Sequence, residues 1–249
     1  INDYLRTDNR YELVDTEKAL KSVPLESAKK ELETAASMVQ KGREAYDSLE
    51  LDQAINYLNK AIKKYKRNAA YMESPRAISE AFIALGAAHI LRGEERTGKS
   101  ILTKAVLIDP MAKPDPRIFN PSMMEIFHDA QDEALNSPRG AVNVISTPSY
   151  AEIYMDGKFI GITPHSKGEI PGGLHFFRIQ KIGHQRYGNT VKIPAHTEES
   201  ISGNLKPLPG ADRLDNLLNK CIKHVGDKSV HPSLRELSEF VKAEQLFVA

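Results

Sequence analysis

Between residues 141 and 207 apolar side chains recur at every second position in short bursts, each closed by a turn signal. Ala141 to Ser146 alternates apolar and polar residues, Thr147, Pro148 and Ser149 turn the chain, and Ala151 to Met155 follows. Asp156 and Gly157 supply the positive-φ residues of a tight hairpin, and Lys158 to Ile162 runs back until Thr163 and Pro164 stop it. Gly172 and Gly173 precede the β-prone run Leu174 to Gln180. Gly183 then breaks the chain before Gln185 to Ile193, and a last strand falls near Glu198 to Leu205. Six or seven short strands at this spacing predict a small antiparallel β-sandwich.

Upstream the apolar period lengthens to about 3.6, the signature of helices. Leu32, Ala35, Ala36, Val39, Ala45 and Tyr46 line one face of a first helix. Leu51 to Tyr65 gives a second that buries Ala54, Ile55, Leu58, Ala61 and Ile62. Ile78 to Leu91 and Glu95 to Ile108 repeat the arrangement until Asp109 and Pro110 end it. Asn120 to Leu135 reads as a further amphipathic helix with Pro121 in its first turn and Met124, Phe127, Ala130 and Ala134 inward. Repetition at roughly 34 to 44 residues points to stacked helical hairpins, whose small residues Gly42, Gly86, Ala54, Ala61 and Ala105 let paired helices approach. The fold class expected is therefore α+β and multidomain. Residues 1–30 form an N-terminal segment, 31–136 the helical domain, 137–210 the sandwich and 211–249 C-terminal helices and a strand.

Two family resemblances sit on these residues. The succession Val144, Ile145, Ser146, Thr147, Pro148, Ser149, Tyr150, Ala151, Glu152, Ile153, Tyr154, Met155, Asp156, Gly157, then Gly161, Ile162, Thr163, Pro164, then Ile170, Pro171, Gly173, His175 and Gly183 resembles the PEGA domain. Its Pro-Glu-Gly-Ala signature reads Pro148, Ser149, Tyr150, Ala151 here, with Tyr150 in place of the glycine. The resemblance implies a non-catalytic, mostly extracytoplasmic sandwich of bacterial envelope proteins. Phe82, Leu85, Gly86, Leu102, Ala105 and Pro110, with Gly42, Ala54, Leu58 and Ala61 in an earlier unit, resemble tetratricopeptide (TPR) repeats at roughly 35–68 and 79–112. That resemblance implies a groove for a peptide segment or domain of another envelope protein, lined by Val39, Arg43, Tyr46 and Asp47 in the first unit. In the second unit it implies Glu80, Ile83, Ala87 and Ile90.

Composition narrows the partners. The chain has 249 residues, 41% of them hydrophobic, and 34 basic against 33 acidic residues leave a formal charge of +1. No global field then draws it to nucleic acid or an anionic membrane, and no run approaches the ~18 to 20 apolar residues of a membrane helix. A chain that starts Ile1, Asn2, Asp3 reads as a fragment from which a targeting signal has been removed, and the PEGA resemblance implies an extracytoplasmic, periplasmic or envelope-associated location. The single cysteine, Cys221, forbids an internal disulfide.

Several motifs carry the residue types of a chemical site. Gly93, Glu94, Glu95, Arg96, Thr97, Gly98, Lys99 and Ser100 satisfy the P-loop pattern GxxxxGK[ST], but a P-loop follows a buried strand, and Ile78 to Leu91 is helical by period. No nucleotide, metal or other cofactor is expected, nor an enzyme activity. His165, His175 and His184 would bind a metal only if three or four ligands converged on one face, and the PEGA resemblance implies a turn-stabilising role for His175. Cys221 belongs on an apolar helix face. Lys60, Lys63, Lys64, Lys66 and Arg67 read as a solvated face. A second function class is a sandwich that binds peptidoglycan or a surface polysaccharide through Tyr150, Tyr154, Phe159 and Tyr187. Finally, Ile1 to Arg6 and Tyr11 to Val14, with Asp212 to His224, Ser233 to Lys242 and Gln245 to Val248, read as two halves of one small α/β unit. Their pattern resembles the amino-terminal domain of TolB-type periplasmic proteins.

Overall fold

The computed structural model describes residues 15–116, 118–224 and 231–243. In chain order the helices are α1 (Thr16–Ala19), α2 (Val23–Asp47), α3 (Leu51–Arg67), α4 (Arg76–Leu91), α5 (Glu95–Ile108), α6 (Pro121–Leu135), α7 (Ala211–Lys223) and α8 (Pro232–Val241). The strands are β1 (Arg139–Thr147), β2 (Glu152–Met155), β3 (Lys158–Ile162), β4 (His165–Pro171), β5 (Gly173–Gln180), β6 (Tyr187–Ile193) and β7 (Glu198–Asn204). The described residues gather into two compact units: one within 27–180 and 186–205, and one within 15–26, 181–185, 206–224 and 231–243. The terminal pieces Ile1 to Arg6, Tyr11 to Val14 and Gln245 to Val248 lie outside the described residues.

In the larger unit two helical hairpins use the same devices at equivalent positions. Each first helix ends in a left-handed residue, Leu49 at φ 61° and Gly93 at φ 90°. In each turn the next backbone N–H reaches back five residues, from Glu50 to Ala45 O at 2.8 Å and from Glu94 to His89 O at 2.8 Å. Leu49 N–H to Tyr46 O and Gly93 N–H to Ile90 O, both 2.9 Å, complete a Schellman motif in each. Farther in, a Cβ on Gly42 would stand 2.7 Å from Leu58 Cγ, and one on Gly86 2.8 Å from Leu102 Cγ. Both glycines are thus where the facing leucine seats. α4 is apolar nearly all round, and Ile78, Ala81, Phe82, Leu85 and Ala88 are all buried, which makes it the central helix of the cluster shared by α2 to α6. Asn120 caps α6 by accepting from Met123 N–H at 2.9 Å, and Pro121 follows at the first turn.

Two details differ from the reading of the sequence. α2 begins at Val23, so it runs continuously through the boundary drawn at residue 30. The stretch from Asn68 to Pro75 carries a 3-10 turn, Ala69–Tyr71, with Ala69 buried.

Among the described residues seven strands form two sheets, ordered β4-β1-β7 and β3-β2-β5-β6. Val142, Val144, Ile170 and Ile201 from the first and Ile153, Phe177, Ile179, Val191 and Ile193 from the second belong to one buried cluster. The expectation of a purely antiparallel arrangement is corrected here: β1 and β7 run parallel from Ala141↔Glu198 to Thr147↔Asn204, making the first sheet mixed. These are the first and last strands of the region, so the intervening chain supplies the long crossover that a parallel pair requires. β4 was not read as a strand because Ser166 to Glu169 is polar, and those residues are exposed on a sheet edge.

β5 is buried on both faces. His175, Phe177 and Ile179 point one way, while Phe176 joins the helical core and Leu174 packs against it. Gly188 on β6 passes the 3-10 turn so closely that a Cβ would land on the Ala70 backbone nitrogen, and one on Gly173 would stand 2.5 Å from Leu107 Cδ1. Helices and strands of this unit therefore share a packed seam.

The smaller unit has its own cluster of Leu214, Leu217, Cys221, Leu237 and Val241, on which Leu20, Leu218, Leu234 and Phe240 pack. Asp15 caps α1 by accepting from Glu17 N–H at 2.9 Å, and the buried Glu17 carboxylate accepts from Ser22 Oγ at 3.0 Å. Gln185 N–H donates to Lys206 O at 2.8 Å, tying residues 181–185 to the segment before α7.

Candidate interaction surfaces

The eight groove positions do not share one exposure. Val39, Ile83 and Ala87 are buried in the helical core, because α4 lies directly against its neighbours and those positions face the seam. Arg43, Tyr46, Glu80 and Ile90 are half-buried and Asp47 is exposed. Glu80 holds two arginines, Arg43 Nη2 at 3.4 Å and Arg76 Nε at 3.0 Å. Burial pushes the Tyr46 hydroxyl pKa up, and the Asp47 charge adds to the effect. Tyr65 is raised by burial and by Glu80, with Arg43 opposing. What α2 and α4 present together is thus an ion-paired strip with a tyrosine at one end, without an open apolar trough.

The four aromatic candidates also separate. Tyr154 is 5% exposed, its ring under the Arg178 guanidinium at 4.3 Å and edge-on to Phe159 at 5.7 Å. Tyr187 packs against the cluster between the sheets. Tyr150 is 79% exposed and Phe159 45%. Of the four, these two are the exposed ones.

The turn that carries Tyr150 explains how the missing glycine is tolerated. Tyr150 adopts φ 60°, the left-handed conformation that glycine takes at least cost. Hydrogen bonds on both sides hold it: Tyr150 N–H donates to Thr163 O at 2.9 Å and Thr163 N–H to Ala151 O at 2.9 Å. The fully buried Thr163 hydroxyl accepts from Ala151 N–H at 3.0 Å and meets Ser146 Oγ at 2.6 Å. The Thr-Pro turn thereby fixes the Pro-Ser-Tyr-Ala turn.

A second polar cluster fixes the β2–β3 hairpin. His175 is 2% exposed; its Nδ1 lies 2.6 Å from Asp156 Oδ2 and its Nε2 2.8 Å from Pro171 O. Two acceptors are satisfied together only by the doubly protonated ring, so both nitrogens donate. Burial works against that charge, but the hydrogen bond and charge of Asp156 and the Pro171 carbonyl outweigh it and raise the His175 pKa. Asp156 Oδ1 also accepts from Phe176 N–H at 2.9 Å. His175 has its nitrogens committed within the fold.

The P-loop pattern falls on the connection between α4 and α5. Gly93 is the left-handed residue of the turn and Gly98 lies inside α5, where a Cβ would stand 2.8 Å from Gly86 O. Lys99 Nζ faces Asp129 at 3.7 Å and Glu133 at 3.6 Å on α6. Nearby, Arg92 pairs with Asp52 at 2.6 Å and Glu94 at 2.8 Å, and His89 meets Glu94 at 2.6 Å. The Arg92 and His89 hydrogen bonds lower the Glu94 pKa. The residues of the motif serve the hairpin and its ion pairs.

Sequence reasoning missed the polar part of the helix–strand seam. Arg178 Nη1 is 4.0 Å and Arg186 Nη1 3.6 Å from Glu73 Oε1, and the Arg186 guanidinium lies 6.0 Å from the centre of the Tyr71 ring. The signal was present in Leu174 to Ile179, a run with large side chains on both faces, which marks a strand covered on both sides. A small concavity of about 390 Å³ opens beside α6, lined by Pro114, Pro116, Phe119, Met124 and His128. Among the described residues no group of histidine, cysteine and carboxylate side chains has the arrangement of a metal site, and no helix is long and apolar enough to cross a membrane. No curated protein and no solved structure matches the chain. Residues 139–209 do match a family model, and the β-rich part of the chain is accordingly a PEGA domain.

Proposed function

We propose that the chain is a non-catalytic scaffold of the bacterial cell envelope, in which TPR-like hairpins and a PEGA sandwich hold two components at fixed separation. The single observation that carries this reading is the seam of Phe176, Leu174, Gly173 and Gly188 against the helices. A helical surface and a strand module that share a core transmit position between their partners, which a flexible tether does not. The helical partner is a segment or domain of another envelope protein meeting Arg43, Tyr46, Asp47, Glu80 and Ile90, with the buried Val39, Ile83 and Ala87 supporting them. The paired carboxylates and guanidinia suit a polar, sequence-specific contact. An extracytoplasmic setting agrees with the usual location of PEGA domains.

The test is affinity capture from a solubilised envelope extract on the full chain and on Arg43→Glu/Asp47→Lys, analysed by mass spectrometry. A defined protein retained by the parent and lost from the variant supports the scaffold. Identical retention on both removes the helical surface from the reading.

A second reading, that the sandwich binds peptidoglycan or surface polysaccharide, is favoured by the exposure of Tyr150 and Phe159. It predicts that the chain sediments with purified sacculi and that Tyr150→Ala/Phe159→Ala does not. Sedimentation unaffected by the double substitution counts against it.

A further inference from the structure

In the helical part several cations pair with acids: Lys64 with Glu31, Arg43 with Glu80, Arg92 with Asp52 and Lys99 with Asp129 and Glu133 between helices, and Arg76 with Glu80 within α4. Lys63, Lys66 and Arg67 on α3 and Lys104 on α5 are not among these, and none forms an ion pair among the described residues. Sequence spacing alone assigns such residues to solvent. It does not reveal that β6 runs opposite them.

Between α3 and β6 lies an open concavity of about 540 Å³. Asn59, Lys63, Lys66 and Arg67 form one wall, a single helix face by their spacing of three and four residues, with Ile62 beside them. Gly188, Asn189 and Thr190 form the other wall. β6 is the last strand of its sheet, so alternate backbone N–H groups point outward, beside the Asn189 amide and Thr190 hydroxyl. Among the described residues no carboxylate lines the concavity. The Lys66 stem is half-buried and its ammonium lies 5.7 Å from the centre of the Phe82 ring, which holds the charge at the rim. Burial of that side chain, and then the Lys104 charge, lower the Lys66 pKa, as expected where positive charges converge without an anion between them.

We propose that this concavity binds a phosphate-bearing anion. A tetrahedral polyanion matches the set of donors: the Arg67 fork takes two oxygens, Lys63 and Lys66 supply point charges, and the neutral donors of β6 complete the shell. The volume lies in the range of small-ligand sites. The shared chemistry is the phosphate group, whose source is either a soluble phosphorylated compound or a lipid headgroup.

Isothermal titration of the full chain with pyrophosphate in about 50 mM salt, where surface charges are only moderately screened, tests the proposal. Lys66→Met keeps the stem over Phe82 and removes the charge; Arg67→Gln removes the fork. Each is expected to weaken binding by at least about tenfold, while Lys60→Gln, on the same helix but outside the concavity, leaves it unchanged. Thermal melts of the variants should match the parent. Co-sedimentation with phosphatidylglycerol vesicles, absent with phosphatidylcholine and lost in the same two variants, assigns the phosphate to a lipid. Pyrophosphate binding without vesicle binding assigns it to a soluble compound. Absence of binding to both probes, or equal weakening by Lys60→Gln, overturns the site.

Discussion

In the helical hairpins the charged side chains stay at the rim, as Arg92 does with Asp52 and Glu94, while the contact between helices is made by glycine, alanine and leucine. In the strands the order is reversed. His175 and Asp156 sit inside with the Phe176 backbone, and Thr163 lies in the heart of the paired turns. The helical part buries its own backbone bonds locally and needs only close approach. The strand part must join turns distant in sequence, and buried polar side chains perform that joining. Polar deletions should therefore be severe in the strands and mild in the helices, with the helices sensitive instead to added bulk.

The largest effect is expected from His175→Leu, which strands the nearly buried Asp156 carboxylate. Breaking a buried charged pair costs about 3 to 5 kcal/mol, to be read as a loss of unfolding free energy in urea. The parent also carries a pH signature. Because the folded-state pKa of His175 is raised above the ordinary value near 6.5, the native state binds the proton more tightly than the unfolded chain. The stabilisation is complete below about pH 6.5 and fades as pH rises through the raised value. Melting temperature should decline on that rise in the parent, and His175→Leu should lose that component.

Next is Thr163→Val, which keeps the shape and deletes the acceptor for Ala151 N–H. An unsatisfied buried amide costs about 1 to 3 kcal/mol. The variant should lower the urea midpoint with an unchanged slope. A loss below half a kcal/mol would mean the two turns are held by backbone bonds alone, and the contrast between regions would weaken.

Bulk is the helical counterpart. Gly98→Ala adds a methyl 2.5 Å from Ile90 Cγ1 and 2.8 Å from Gly86 O, while the equivalent position in the first hairpin is already Ala54. Overpacking costs about 1 to 3 kcal/mol, against about 1 kcal/mol gained in helix propensity, so a net loss of about 1 kcal/mol is expected by thermal denaturation. An increase in stability would show that the second hairpin is no tighter than the first.

The same contrast governs what the sequence disclosed. Gly42, Leu58, Gly86 and Leu102 revealed the repeating hairpins because helix packing is written in local spacing, and Asp156-Gly157 revealed its hairpin because a left-handed pair is a local signal. The parallel pairing of β1 with β7 and the seam at Gly188 were illegible, since each depends on segments brought together from far along the chain. For the candidate surfaces, residue type identified Arg43, Asp47 and Tyr150 as accessible chemistry. It did not distinguish them from Val39, Ile83, Ala87 and Tyr154, whose burial follows from the central place of α4 among the packed helices and from Arg178 lying over the tyrosine ring. Lys66 shows the converse, a residue whose setting only the opposite strand defines.

The smallest expected effect compares the two hairpin turns directly. Leu49 and Gly93 occupy the same left-handed position with the same pair of hydrogen bonds, yet only glycine reaches it without Cβ strain. Leu49 is 71% exposed and gives up little packing when truncated. Leu49→Gly should therefore gain up to about 1 kcal/mol and Gly93→Ala lose about the same, both measured by urea unfolding. Opposite signs of similar size would establish that the turns are energetically equivalent and that the first hairpin carries uncompensated strain. A loss in both variants would instead mean that the Leu49 side chain contributes to the turn, and that equal backbone geometry in the two hairpins conceals unequal support.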